Sequence, residues 1–350
     1  MPPTSPLRRT AATVLASGLV AAATVAASPL AAGAAPAKPS KTPGWSVAIV
    51  GDVPYGAPAL ETFPAYVDAI NADRDVRMVT HLGDIKSGST RCDTSYFHAI
   101  AQDFGRFDDP LVYTPGDNEW TDCHRQNNGG YVPLERLDAV RQVFFAKPGR
   151  TLGGHRVAVR SQAALGVPEN VRYSRAGVCF AALHVVGSNN DLAPWDGIGY
   201  TEPTPEQVAE EQHRMDATLE EVRSVFRSAR AGDCDAVVLQ QQADMFDPTV
   251  VDPDPADYSA FEPLVQELVD RSTEWGGPVY LFNGDSHAFH QDRPLATGSP
   301  WLSFYGVSGS ADNLRRTTVD GSGLGESSYV KVSTTGDRAE PLTIQRVPVG

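Results

Sequence analysis

The sequence predicts an α/β protein, on three observations. Short apolar runs rich in β-branched residues alternate with stretches of helical spacing, the pattern of βαβ units. Four of these runs are followed by Gly-Asp, where Gly permits a sharp exit from a strand and the next side chain faces the crevice at the sheet's carboxyl edge. The composition is globular, with 41% hydrophobic and 21% charged residues.

The elements follow in order. Arg8 and Arg9 precede an Ala, Val and Leu stretch from Ala11 to Leu30, and small residues lead up to Ala37. This predicts a secretory signal over residues 1–37, compatible with Sec or Tat export. Ser17, Thr24, Ser28 and Pro29 interrupt the apolar run, so no membrane anchor is expected. Residues 38–44 read as a linker and 45–350 as one domain, without internal repeat or second linker. Strands are expected at Trp45–Val50, Val76–Leu82 and Leu111–Thr114, with helices at Pro58–Ala72 and Thr94–Phe107 between them. Gly116–Val132 is too long and polar for a simple turn, which marks it as a functional candidate. A helix at Pro133–Phe145 and strands at Val171–Tyr173 and Val178–Val186 come next. Thr204 caps a long helix to Arg230, whose Val208, Met215, Leu219, Val222 and Phe226 recur at helical spacing and predict a buried face. Strands at Ala236–Leu239 and Val279–Phe282 flank a helix at Ser259–Ser272. Runs at Trp301–Val307, Tyr329–Val332 and Pro341–Val347 predict a tail of strands without helices.

Charge and cysteines bound the setting. The net charge of −14 argues against bulk nucleic acid as a partner. Cys92, Cys123, Cys179 and Cys234 are an even set in an exported chain, which predicts two disulfides among three possible pairings. Cys92 with Cys123 and Cys179 with Cys234 is favoured, because the latter two begin consecutive strand-like runs that can lie side by side. Their spacing is unlike a zinc knuckle.

Six Gly-Asp pairs occur where composition alone gives about two or three, and four of them, at Asp52, Asp84, Asp117 and Asp285, follow strand-like runs. Carboxylates gathered at one edge repel and raise each other's pKa unless a cation lies between them, so a hard divalent metal is expected there.

Gly51-Asp52, Gly83-Asp84, Gly116-Asp117-Asn118-Glu119 and Gly284-Asp285-Ser286-His287, in this order, resemble the calcineurin-like metallophosphoesterases over residues 45 to 310. The resemblance implies a two-sheet mixed β sandwich flanked by helices, a four-layer αββα arrangement. It also implies a dinuclear metal site at the strand ends, with Asp52 on one ion and Asp84 bridging both. The motifs depart from the family at nearly every histidine. Pro54 stands where the first block has His, Asp117 and Asn118 replace Asn-His, Gln241 aligns with a metal-binding His, and Asp285 replaces the first His of the last block, leaving His287. The implied ligand set is Asp52, Asp84, Asp117, Asn118, Gln241, Asp285 and His287, which favours Mn, Mg or Ca over Zn or Fe because its donors are mostly oxygen.

The function this implies is an exported metal-dependent phosphoesterase that attacks a phosphate ester with a metal-bound hydroxide. Asn118 and His124 are its candidate catalytic residues, His124 as a proton donor held near the metal edge by a Cys92–Cys123 bridge. The alternative is a degenerate relative that binds a cation or ligand without turnover. Lys86 and Arg91 are candidates to clamp a substrate anion or, equally, solvated loop charges. His184 reads as a core histidine, His81 as orienting the Asp84 loop and His290 as a neighbour of the site. Asp252, Asp254 and Asp257 form an acidic loop unlike a calcium loop.

Overall fold

A computed structural model describes residues 44–322 and 327–349. The signal peptide and, but for Gly44, the linker assigned above lie outside the described residues. Twelve strands form two mixed sheets. They are β1 Ser46–Val50, β2 Val76–His81, β3 Leu111–Tyr113, β4 Arg160–Gln162, β5 Val167–Arg175, β6 Val178–Ala182, β7 Ala236–Gln240, β8 Val279–Asn283, β9 His290–Asp292, β10 Leu314–Thr318, β11 Ser328–Thr334 and β12 Leu342–Pro348. The first sheet has the order β12-β11-β1-β2-β3 and the second β4-β5-β6-β7-β8-β10-β9. In the first, β1, β2 and β3 are mutually parallel; in the second, β6, β7, β8 and β10 are.

The sheets pack face to face with helices on their outer faces, the two-sheet sandwich that the resemblance implied. Period-two alternation sorts the side chains. In β1, Val47 and Ile49 join Met78, Val112, Phe180, Val238 and Phe282 in the core between the sheets. Ala48 and Val50 face the other way, into a core with Phe63, Val67 and Ile70 of the helix Gly56–Ala72 and Phe97 and Ile100 of the helix Thr94–Phe104. On the second sheet, Val237, Leu239, Val279 and Leu281 pack outward against Met215, Val222 and Phe226 of the helix Pro205–Arg230 and Leu264 and Leu268 of the helix Glu262–Trp275. Covered on both faces, β1, β7 and β8 are buried along their length, which is why they read as apolar runs.

The long helix starts as its sequence predicts. The Thr204 hydroxyl accepts the Gln207 N–H and the Gln207 side chain accepts that of Thr204, a reciprocal capping box. Leu219 packs half-buried against the core, whereas Val208, in the first turn, lies outside it.

Two expectations are corrected. Trp301–Val307 is not a strand: Pro300–Phe304 is a short helix, capped by the Ser299 hydroxyl with Pro300 in its first turn. Trp301, Phe304 and Tyr305 are spaced for one helical face, and Trp301 and Tyr305 meet the Phe246 ring there. Conversely, β10 was not expected as a strand, because Leu-Arg-Arg-Thr-Thr is polar. It is central because the buried Arg316 pairs with Asp244 and, through two 2.8 Å bonds, with Asp292.

Both favoured disulfides are present, with Cα–Cα distances of 5.9 Å for Cys92–Cys123 and 5.6 Å for Cys179–Cys234. The first ties the start of the helix Thr94–Phe104 to the long polar loop, which contains the 3-10 turns Thr121–His124 and Gln126–Asn128. The second joins the adjacent parallel strands β6 and β7 near their starts. Two disulfides fit an oxidising compartment. Among the described residues no helix is long and apolar enough to cross a membrane.

On the loop-closure model, each bridge contributes roughly 3 to 4 kcal/mol. Replacing either cysteine pair by serines is expected to lower the unfolding free energy by about that amount in a denaturant titration. An unchanged midpoint and slope for both pair variants would remove the disulfides as a source of stability.

Candidate metal centre

The parallel strands of both sheets deliver their following residues to one edge: Asp52 after β1, Asp84 after β2, Asp117 after β3, and Asp285 and His287 after β8. At Asp52, Asp84, Asp285 and His287 the backbone is left-handed, with φ of 55°, 57°, 76° and 60°. Such strain persists only where the surroundings hold it, and it concentrates at functional sites. The Gly-Asp motif has a second purpose at two positions. A Cβ on Gly116 would overlap the Asp84 carboxylate, and one on Gly284 would overlap that of Asp52. Each glycine makes room for a carboxylate from another strand.

Hydrogen bonds fix the carboxylates. Asp52 accepts the Asp285 N–H at 3.0 and 3.2 Å and lies 3.5 Å from His287 Nε2. Asp84 accepts the Asn118 N–H at 3.2 Å on Oδ1, and the Asn118 amide at 2.6 Å and the Tyr55 hydroxyl at 2.7 Å on Oδ2. Asp117 accepts the Gln242 amide at 3.1 Å, while the Ser188 hydroxyl lies 3.2 Å from Asp117 and 2.7 Å from Asp122. Glu119 braces the loops from below, accepting from Tyr113, Gly116 N–H and Asp84 N–H. Among the described residues, two groups place ligand atoms within 4.8 Å of one another: Asp52, Asp84 and His287, and Asp84, Asp117 and Asp285. They share Asp84.

The negative charge is poorly compensated. Burial, followed by repulsion from neighbouring carboxylates, raises Asp84 and Asp285 well above the usual carboxylate range. Asp52 is raised as strongly, by burial first and, less, by Asp117 and Glu119, against the Asp285 N–H. Asp122 is pushed up to about 7 by burial and Asp117. The buried Lys86 is lowered to about 8 by burial and donates to the carbonyls of Asn118 at 2.5 Å and Ser87 at 2.9 Å. Carboxylate oxygens around a shared Asp84, with one imidazole, are a donor set for hard divalent cations, so the residues present fit the metal that the sequence implies.

Of the residues singled out in the sequence, Asp52, Asp84, Asp117, Asn118, Asp285 and His287 come together. Gln241 turns away, its amide donating to the Ala243 carbonyl at 2.9 Å. The amide at the centre is Gln242, which also accepts the Gly187 N–H at 2.7 Å. Alternation explains the exchange: Gln240 reaches Thr80 on the other sheet, and Gln242, two residues on, shares that side. His124 is buried beside the Cys92–Cys123 bridge, where its Nδ1 accepts the Gly197 N–H at 3.1 Å and lies 3.4 Å from Asp196; among the described residues it bonds none of the carboxylates of the centre. Arg91 is an exposed loop charge paired with Asp93. His184 is a core histidine, bonded to Glu169 at 2.8 Å. His81 joins the two exit loops through Val53 O and Gly83 N–H, and burial lowers it to about 4. His290 lies near Asp292 at 3.4 Å.

Sequence reading missed Tyr55, Glu119, Gln242 and Ser188 as members of the site. Glu119 alone had a signal, as the acid closing the third motif. Ser188 belongs to a segment that sequence does not foretell: Ser188, Asn189, Asn190 and Asp191 all have left-handed backbones, with φ of 51°, 52°, 53° and 73°. L-residues adopt this conformation singly, seldom in runs. Here side chains hold it: Arg214 donates to the Asn190 carbonyl at 2.9 Å, Asn190 to Glu211 at 2.9 Å and Ala260 N–H to Asn189 at 2.9 Å. The turn borders a cleft of about 830 Å³ that Ser188, Asp244 and Asp285 also line.

No family model and no curated protein matches the chain. Among solved structures it is similar to GAP50, the anchor in the inner membrane complex of Plasmodium, with 9% identity over 87% of this chain and 89% of that one and a TM-score of 0.42. At that level the likeness bears on neither fold nor function.

Because their pKa values are raised in the folded state, the carboxylates stabilise the metal-free protein only at low pH, and the contribution is lost as pH rises from about 4 through the raised values. In EDTA, Asp84→Asn is therefore expected to melt above wild type at pH 8, by a margin that narrows at pH 5. A margin independent of pH would show that repulsion at Asp84 is not what limits stability.

Proposed function

We propose that this protein is an exported metal-dependent phosphoesterase, carried by one observation: two triplets of ligand atoms at a sheet edge that share Asp84. Asp52, Asp84 and His287 would hold one divalent cation, and Asp84, Asp117 and Asp285 a second. When bound, such a pair supplies Lewis-acid stabilisation of a phosphoryl group and activation of water. Manganese, magnesium or calcium suits these oxygens better than zinc or iron. Export rests on the signal-like leader and agrees with the two disulfides.

The chain's own groups keep the arrangement fixed. Asn118 and Tyr55 both bond Asp84 Oδ2, so the shared carboxylate cannot rotate without breaking two hydrogen bonds. The Asp285 N–H does the same for Asp52, tying β8 to β1 across the sandwich. Gln242 and Ser188 orient Asp117 from the second sheet. Lys86 offsets part of the charge from beneath, where its backbone partners leave it no reach into the cleft. The cleft gives a small phosphoester access to Asp285.

Hydrolysis of a phosphomonoester and phosphodiester panel with added manganese tests the reading. Asp84→Asn is expected to lower kcat by about a hundredfold or more, some 3 kcal/mol of transition-state stabilisation. Equal, measurable rates would remove Asp84 from the reaction. No hydrolysis by wild type, with a manganese-dependent rise in Tm that Asp84→Asn abolishes, would mark a cation-binding relative instead. Elemental analysis after growth in rich medium is expected to find manganese, magnesium or calcium above zinc; stoichiometric zinc that survives EDTA would overturn the oxygen-donor assignment.

A further inference from the structure

We propose that the cleft beside the carboxylate centre takes an organic cation, so that the preferred substrate is a phosphoester whose alcohol carries an ammonium group. The reaction in this statement rests on the phosphoesterase reading; the cation site does not. Three observations carry it.

The first is the charge of the lining. Away from the centre, the cleft is bordered by Glu202, Asp247, Asp252, Asp254 and Asp257, and among the described residues no Lys, Arg or His lines it. Among the described residues none of these five carboxylates pairs with a cation. Asp247 and Asp254 are bonded locally, to Thr249 and to the Ala256 N–H, while among the described residues the carboxylates of Asp252 and Asp257 accept no hydrogen bond. A phosphate dianion alone enters this cleft against its field, whereas an ester with a cationic alcohol presents matching charge to it.

The second observation is that these acids surround a space rather than converge on a point. A hard metal ion needs several oxygens at bonding distance. The groups of three or more that meet this requirement among the described residues are the two of the centre, and they include none of these five. The third is the rest of the wall. Leu192, Pro194, Phe261 and the ring of Tyr258 give apolar contact, and an aromatic face attracts an alkylammonium ion where a bare metal ion keeps its water. A volume of about 830 Å³ suits a small organic molecule. Since Asp285 and Ser188 line the same cleft, a cation among the outer acids leaves its phosphoryl end beside the centre.

The test compares two isosteric esters, 2-(trimethylammonio)ethyl phosphate and 3,3-dimethylbutyl phosphate, with manganese at low ionic strength. The cationic ester is expected to have a kcat/KM at least about tenfold higher, with the advantage shrinking as salt is added. The double variant Asp252→Asn, Asp257→Asn, at two exposed positions, should bring the ratio towards one without lowering Tm. Calorimetry gives a readout without turnover: choline is expected to bind the manganese-supplemented protein, 3,3-dimethylbutanol to bind at least tenfold more weakly, and the double variant to lose the difference. Choline binding with no hydrolysis of either ester would uphold the cation site and defeat the phosphoesterase reading. Equal rates for the two esters, equal binding of the two alcohols, or a preference that survives the double variant would overturn the proposal.

Discussion

The repulsion among carboxylates buried at one edge of two packed sheets is the constraint around which the molecule is organised. Asp52, Asp84 and Asp285 are at least partly buried, and each lies near another acid. Burying such groups together is costly unless a counter-charge and hydrogen bonds offset it. The fold supplies hydrogen bonds and space: backbone N–H groups of Asn118 and Asp285, the side chains of Tyr55, Asn118, Gln242 and Ser188, and two glycines that leave room for neighbouring carboxylates. Among the described residues, Lys86 is the one buried lysine that offsets this charge.

Other buried charges in the protein are treated differently, and the contrast is informative. Arg316 meets Asp244 and Asp292, Arg141 meets Glu169, and Arg172 meets Glu221. These pairs brace the second sheet and its covering helix, where charge is balanced within the chain. Arg214 holds the left-handed turn at Asn190 and lies over the Trp120 ring at 5.3 Å, linking the turn to the long loop. That loop is anchored in its turn by the Cys92–Cys123 bridge. Rigid supports thus surround the centre on the sides of both sheets, and among the described residues the outer acids of the cleft have no cationic partner.

The sequence by itself determined most of the parallel strands, because burial on both faces favours apolar residues along them, and it determined the exit points, because strands that turn sharply into a crevice need Gly-Asp. It also favoured the disulfide pairs that form, because Cys179 and Cys234 begin consecutive strand-like runs, and it marked the cap of the long helix through Thr204. Only the tertiary structure decided which of three consecutive glutamines faces Asp117, since that depends on where β7 ends and which side of the sheet follows. It placed the Tyr55 hydroxyl on Asp84, a contact between two strand exits that no spacing within one segment encodes. Polar β10 became a central strand only because Asp244 and Asp292 arrive from elsewhere to pair with Arg316. The Trp301 segment became a helix because its aromatic residues pack on one side against Phe246. Local pattern records what a residue needs from its environment; which distant residue meets that need is decided by the packing of the two sheets.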